Sequence, residues 1–191
     1  GSNFLAAADW LRAHDTPPVH YEGVHWDPHY PETTDVASQM YTPAAEGEAY
    51  LRTHRDKPFI LCEYGHAMGN SFGAVDKYVD LAYRDPLFQG GFIWDFADQA
   101  VPLVDRHGRE FFGYGGDCDD RPTDYEFSAN GIFFADHTPT PKLQEVRYLY
   151  QPLRIAISGS GLEVGSRLLF TSWSAYERVV TLSHEGEVLV A

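Results

Sequence analysis

The chain has 191 residues, 43% of them hydrophobic and 22% charged, with 28 acidic side chains against 14 Lys and Arg and a formal net charge of −14. That composition belongs to a globular protein of one domain or one domain and part of another. The negative excess argues against nucleic acid and anionic lipid as partners, and no apolar run approaches the roughly 20 residues of a membrane span. No basic stretch followed by an apolar one marks a secretory leader. The two cysteines, Cys62 and Cys118, make no disulfide framework and point to a reducing cytoplasm. Aromatic content is 15%, with 12 Tyr, 12 Phe and 4 Trp; most such rings pack cores, and a surplus near polar loops also suits stacking on the C–H faces of sugars.

The first segment spaces Phe4, Leu5, Ala8 and Leu11 as one face of a helix. "VHYEG" (19–23) reads as a short strand, and a loop rich in Pro, His and Tyr follows. "DVASQMY" (35–41) is a second strand, and "AAEGEAYLRTH" a helix weakened by Gly47. "PFILCEY" (58–64) is a continuous apolar run, as expected of a parallel strand covered on both faces. Asn70 or Ser71 is placed to cap the next helix, whose face carries Val75, Tyr78, Val79 and Ala82, and Asp85–Pro86 closes it. "FQGGFIWDFADQ" (88–99) is a fourth strand, with Gly90 and Gly91 permitting close packing. Strands alternating with helices imply a parallel sheet with βα crossovers, either open or part of a barrel.

From residue 100 the texture changes. Residues 100–140 form a long irregular region, of a length that usually carries function. "KLQEVRYLY" (142–150) is one short helix. After Pro152 only strand signals remain, separated by glycine turns, as at the start of an antiparallel sandwich.

Enzymes built on parallel βα units place catalytic groups at the carboxyl ends of strands. Glu63 sits at such an end, with His66 just beyond; Tyr41 and Trp94 hold the matching places on neighbouring strands. A phenol, a carboxylate, an imidazole and a ring platform suit one sugar-facing pocket. The bland alternatives are a Glu that pairs with an arginine or caps a helix, and a Trp that fills a barrel. "GGDCDDRPTD" lacks the glycine and terminal glutamate of a calcium loop and reads as an exposed acidic loop. No HExxH motif or phosphate-binding glycine loop is present.

"ILCEYGHAMGNS", followed in order by "QGGFIWDFADQ", "YGGD" and "NGIFFADHTPTP" and preceded by "PVHYEG" and "QMY", resembles the β-galactosidases of glycoside hydrolase family 2. The resemblance implies an α/β fold. Residues 1–150 would be the second, carboxyl-terminal half of a (β/α)8 TIM barrel, and 151–191 the beginning of a truncated antiparallel β-sandwich. It implies retaining hydrolysis of terminal β-D-galactose in β-galactosides such as lactose, with Glu63 as nucleophile and Tyr41 assisting it. His66 would bind the galactose 6-hydroxyl, Trp94 would line the floor of the site, and the Phe127 carbonyl and Asn130 would hold a Na+ ion that also touches that hydroxyl. In the family the acid/base glutamate lies in an Asn-Glu-Ser motif just before the helix matching residues 3–13. The resemblance therefore implies that this carboxylate, the Mg2+ ligands and barrel strands one to four lie upstream of Gly1. Glu22 and Asp95 match no such role. The expected partners are a β-galactoside, an amino-terminal half and, when complete, further copies in a homo-oligomer. The chain alone is expected to hydrolyse nothing. A non-catalytic carbohydrate-binding module, a subunit of a split glycosidase and a related β-glucuronidase-like enzyme are the alternatives.

Overall fold

The computed structural model describes residues 3–159, 161–177 and 179–190. They divide into two compact units, 1–149 and 150–191.

The first unit opens with helix α1 (Phe4–His14). Strand β1 (Ala37–Met40), helix α2 (Ala44–Thr53), strand β2 (Phe59–Tyr64), helix α3 (Asp76–Arg84) and strand β3 (Phe88–Ile93) follow. The three strands form one parallel sheet in the order β1-β2-β3, so α2 and α3 are crossovers between adjacent strands. Period-two geometry sends Phe59 and Leu61 of β2 to the helix side, where they pack with Leu51, Val75, Val79, Leu81 and Phe88 in the buried core. The other face of β2, carrying Ile60 and Cys62, is only half-buried, so the apolar run is not covered equally on its two faces. Gly91 is required by close approach: a Cβ there would lie 2.8 Å from the Leu61 carbonyl oxygen and 2.9 Å from its Cβ. In this sheet β1 and β3 are edges, each paired on one side only.

Residues 19–23 are not a strand. The Val19 N–H donates to the Asp35 carboxylate and the Tyr21 N–H to the Thr34 hydroxyl, while Asp35 N–H donates to the Val19 carbonyl. Side chains thus take the backbone groups a ladder would use, and Glu22–His25 winds into a 3-10 turn. Nor does Asn70 or Ser71 cap α3. The Ser71 hydroxyl donates back to the carbonyls of His66 and Met68, closing the loop after β2. The region 100–140 contains a hairpin unforeseen in the sequence, β4 (Val101–Val104) antiparallel to β5 (Glu110–Gly113). Helix α4 (Leu143–Leu149) ends the unit.

The second unit holds two antiparallel hairpins, β6 (Leu153–Ser158) with β7 (Gly161–Ser166) and β8 (Leu182–His184) with β9 (Glu187–Val190). They are separate two-stranded sheets, and among the described residues two sheets packed into a sandwich are not formed. No described helix is long and apolar enough to cross a membrane.

Candidate active site

The carboxyl ends of the three parallel strands bring the expected residues together. Register does the first part of this. Met40 lies opposite Glu63 after a slip between Gln39 and Met40, and the Tyr41 N–H donates to the Glu63 carbonyl at 2.8 Å. Tyr41 has φ 54, a left-handed conformation costing a bulky residue about 1–3 kcal/mol. The turn sets its side chain against the neighbouring strand end, where the phenol O–H donates to Glu63 Oε2 at 2.6 Å. Burial, reinforced by that carboxylate, pushes the Tyr41 phenol well above its ordinary value of 10.0. The proton therefore stays on tyrosine and Glu63 accepts.

The His66 ring lies 5.5 Å from that of Tyr41 and 5.8 Å from that of Phe127. Trp94 follows the last residue of β3. Its N–H donates to the Tyr64 carbonyl and its own carbonyl accepts from Ala67 N–H, which fastens it to the segment carrying Glu63 and His66. The Trp94–Asp95 peptide is cis. The chain from 127 to 133 then returns over β3: Asp95 N–H donates to the Asn130 carbonyl at 2.8 Å, and Ile132 N–H to the Asp95 carbonyl. Asn130 is wholly buried, yet neither its amide oxygen nor its amide nitrogen has a hydrogen-bond partner. Leaving a buried polar group unmatched costs about 1–3 kcal/mol. The Trp94 indole N–H is likewise buried without an acceptor.

Two other carboxylates, one in the 3-10 turn and one just past β3, are engaged locally. Glu22 accepts from the Trp26 indole, and Asp95 accepts from Phe96 N–H and the Gln99 amide. Among the described residues no group of three His, Cys, Asp or Glu side chains is arranged to hold a metal ion. Cys62 and Cys118 are free thiols, and burial raises the Cys62 thiol above its usual value. Lys142 escaped the sequence reading, since a single lysine after "PTP" carries no signal. Its ammonium donates to the carbonyls of Ala67 and Gly131, one residue past His66 and Asn130.

A short parallel sheet with helical crossovers and a strand-end carboxylate fits a βα-barrel hydrolase. Residues 1–155 match the family "Glycosyl hydrolases family 2, TIM barrel domain", and the chain belongs to that family. It is 50% identical to a protein named "Beta-galactosidase" from Halalkalibacterium halodurans, over 90% of this chain and 17% of the relative. It is 42% identical to a "Beta-galactosidase" from Streptococcus thermophilus, over 97% of this chain and 20% of the relative. A "Beta-galactosidase large subunit" from Latilactobacillus sakei is 54% identical over 69% of this chain and 21% of the subunit. The chain thus spans about a fifth of the length of the curated relatives it matches.

Proposed function

We propose that this chain is the nucleophile-bearing part of a β-galactosidase that hydrolyses terminal, non-reducing β-D-galactose, lactose included, with retention of configuration. The observation that carries this reading is the Tyr41 phenol donating to Glu63 Oε2 at 2.6 Å across two strand ends, in a chain whose relatives bear the name β-galactosidase.

Glu63 attacks the anomeric carbon through its other oxygen, Oε1. The new glycosyl ester bond forms as the glycosidic C–O bond breaks. The leaving oxygen takes its proton from a second carboxylic acid, which then deprotonates the water that releases galactose and restores Glu63. Tyr41 keeps its proton and holds the carboxylate in the attacking orientation. His66 and Asn130 bind the 6-hydroxyl, and Trp94 supplies the apolar floor. The unmatched amide oxygen of Asn130 fits a sodium ion, which it and the Phe127 carbonyl would hold; bound there, the ion would polarise the 6-hydroxyl. The described residues do not fit a magnesium site, and no step depends on one.

The second carboxylate comes from an amino-terminal half of the barrel that also covers the edges of the sheet. Glu22 and Asp95 match no acid/base position in the family; they accept from Trp26 and from Phe96 and Gln99. The second unit supplies opening strands of a sandwich, and the free thiols suit the cytoplasm. The 191-residue chain alone is expected to leave a nitrophenyl β-galactoside intact, and adding an amino-terminal half is expected to restore cleavage; cleavage by the chain alone would contradict this. In that assembled enzyme Glu63→Gln lowers turnover by about a thousandfold or more while galactose still binds. A variant keeping most of its turnover would remove the nucleophile assignment.

A further inference from the structure

Two segments meet beside the strand ends. One is the loop after β2, from His66 to Ser71; the other is the returning chain from Phe127 to Gly131. Beside them lies an open pocket of about 390 Å³ whose lining includes Gly69, Asn70, Phe72, Ala129, Thr140 and Lys142. The joint between the two segments is held by hydrogen bonds. Gly69 N–H donates to the Ala129 carbonyl at 3.1 Å. The Lys142 ammonium donates to the Ala67 carbonyl and, at 3.1 Å, to the Gly131 carbonyl. These two carbonyls lie 64 residues apart in sequence, and each directly follows a residue of the site, His66 or Asn130.

We infer that Lys142 is a positioning residue, a cationic clamp that sets the distance between His66 and Asn130 and thereby tunes recognition of the 6-position of the sugar. The inference rests on the β-galactosidase reading, in which those two residues bind the 6-hydroxyl. Three further features support the clamp. Hydrogen bonds from a charged donor are stronger than neutral ones and fix position more tightly. The Gly131 end is closely packed: its N–H donates to Asp98 Oδ1 at 2.8 Å, and a Cβ at Gly131 would lie 2.1 Å from the Phe133 carbonyl oxygen. Burial outweighs the nearby Asp98 charge and lowers the Lys142 ammonium below its ordinary value, as for a cation partly withdrawn from water. Lys142 touches no reacting atom. Its effect reaches substrate only through His66 and Asn130.

The test compares two substrates in the assembled enzyme, nitrophenyl β-D-galactoside and nitrophenyl β-D-fucoside, which is the same sugar without the 6-hydroxyl. Lys142→Met is expected to lower kcat/KM for the galactoside about tenfold, chiefly through KM, and for the fucoside by about twofold or less. Lys142→Arg, which keeps the positive charge and several N–H donors, is expected to restore much of the preference. Equal losses on both sugars, or an unchanged ratio, would overturn the clamp. If Lys142→Met does not fold, Lys142→Gln and Lys142→Arg are compared by the same ratio, and equal ratios overturn it too. A wild-type enzyme with no preference for the galactoside would remove the 6-hydroxyl reading beneath it, a result distinct from losing the clamp alone.

Discussion

The two units of the chain draw on similar residues and reach opposite ends. In the first, Phe59, Leu61, Leu51, Val75 and Leu81 are sealed from water between a parallel sheet and two helices. In the second, Ile157 is 88% exposed and Phe170 98% exposed, and its strands stop at two-stranded ladders. A lone hairpin is marginal in water because it has no second layer to cover its apolar face. The βα crossover supplies that layer within a few dozen residues, whereas an antiparallel strand needs a partner sheet. The site follows the same division: every residue assigned to it lies in the unit that owns a core, since a 2.6 Å contact between two strand ends needs a frame that fixes both.

That contrast can be broken by substitution. The largest effect is expected at Phe59. Phe59→Ala should cost about 3–5 kcal/mol in urea unfolding of the first unit, and a loss near zero would show that its core is not cooperative. Next comes Tyr41. In the assembled enzyme Tyr41→Phe should lower kcat about 10- to 100-fold by freeing Glu63. The raised phenol also fixes a pH dependence. Its contribution to stability is complete below its unfolded value of 10.0 and is lost as pH rises above it, so the alkaline fall in stability should be shallower in Tyr41→Phe. Asp35 is a smaller case of opposite sign. The Val19 N–H, then Arg12, lowers its carboxyl below 3.8, so its contribution is present above that pH and lost as pH falls through its depressed folded value. It is partly exposed, so Asp35→Asn should cost little at pH 7 and flatten the acid limb of the stability profile. The smallest effect is expected in the second unit, where Ile157→Ser should change stability by no more than about 0.5 kcal/mol. A large loss there would reveal a core that its exposure denies.

The sequence made some of this frame plain and hid other parts for physical reasons. β2 was legible because an apolar run bounded by Pro58 and Gly65 has few other meanings, and its end marked Glu63. Helices α1 and α3 were legible from their apolar spacing. The Tyr41–Glu63 contact was not, because it depends on a one-residue slip in register and on a left-handed backbone at a tyrosine. Residues 19–23 misled because a strand-like pattern says nothing about Asp35 and Thr34, distant in sequence, taking its N–H groups. The β4–β5 hairpin was obscured by a proline and by short strands with exposed rings. His66 was a candidate from its place just past a strand end, Phe127 and Asn130 became candidates through family resemblance, and Lys142 became visible only when two loops met in space.

The central claim is that Glu63 is the nucleophile. It is tested most directly by incubating the assembled enzyme with a 2-fluoro-β-galactosyl fluoride and mapping the trapped sugar by peptide mass spectrometry. The account predicts one covalent galactosyl label, on Glu63, forming with loss of activity. A label on another carboxylate, or inactivation with no covalent adduct, would contradict it.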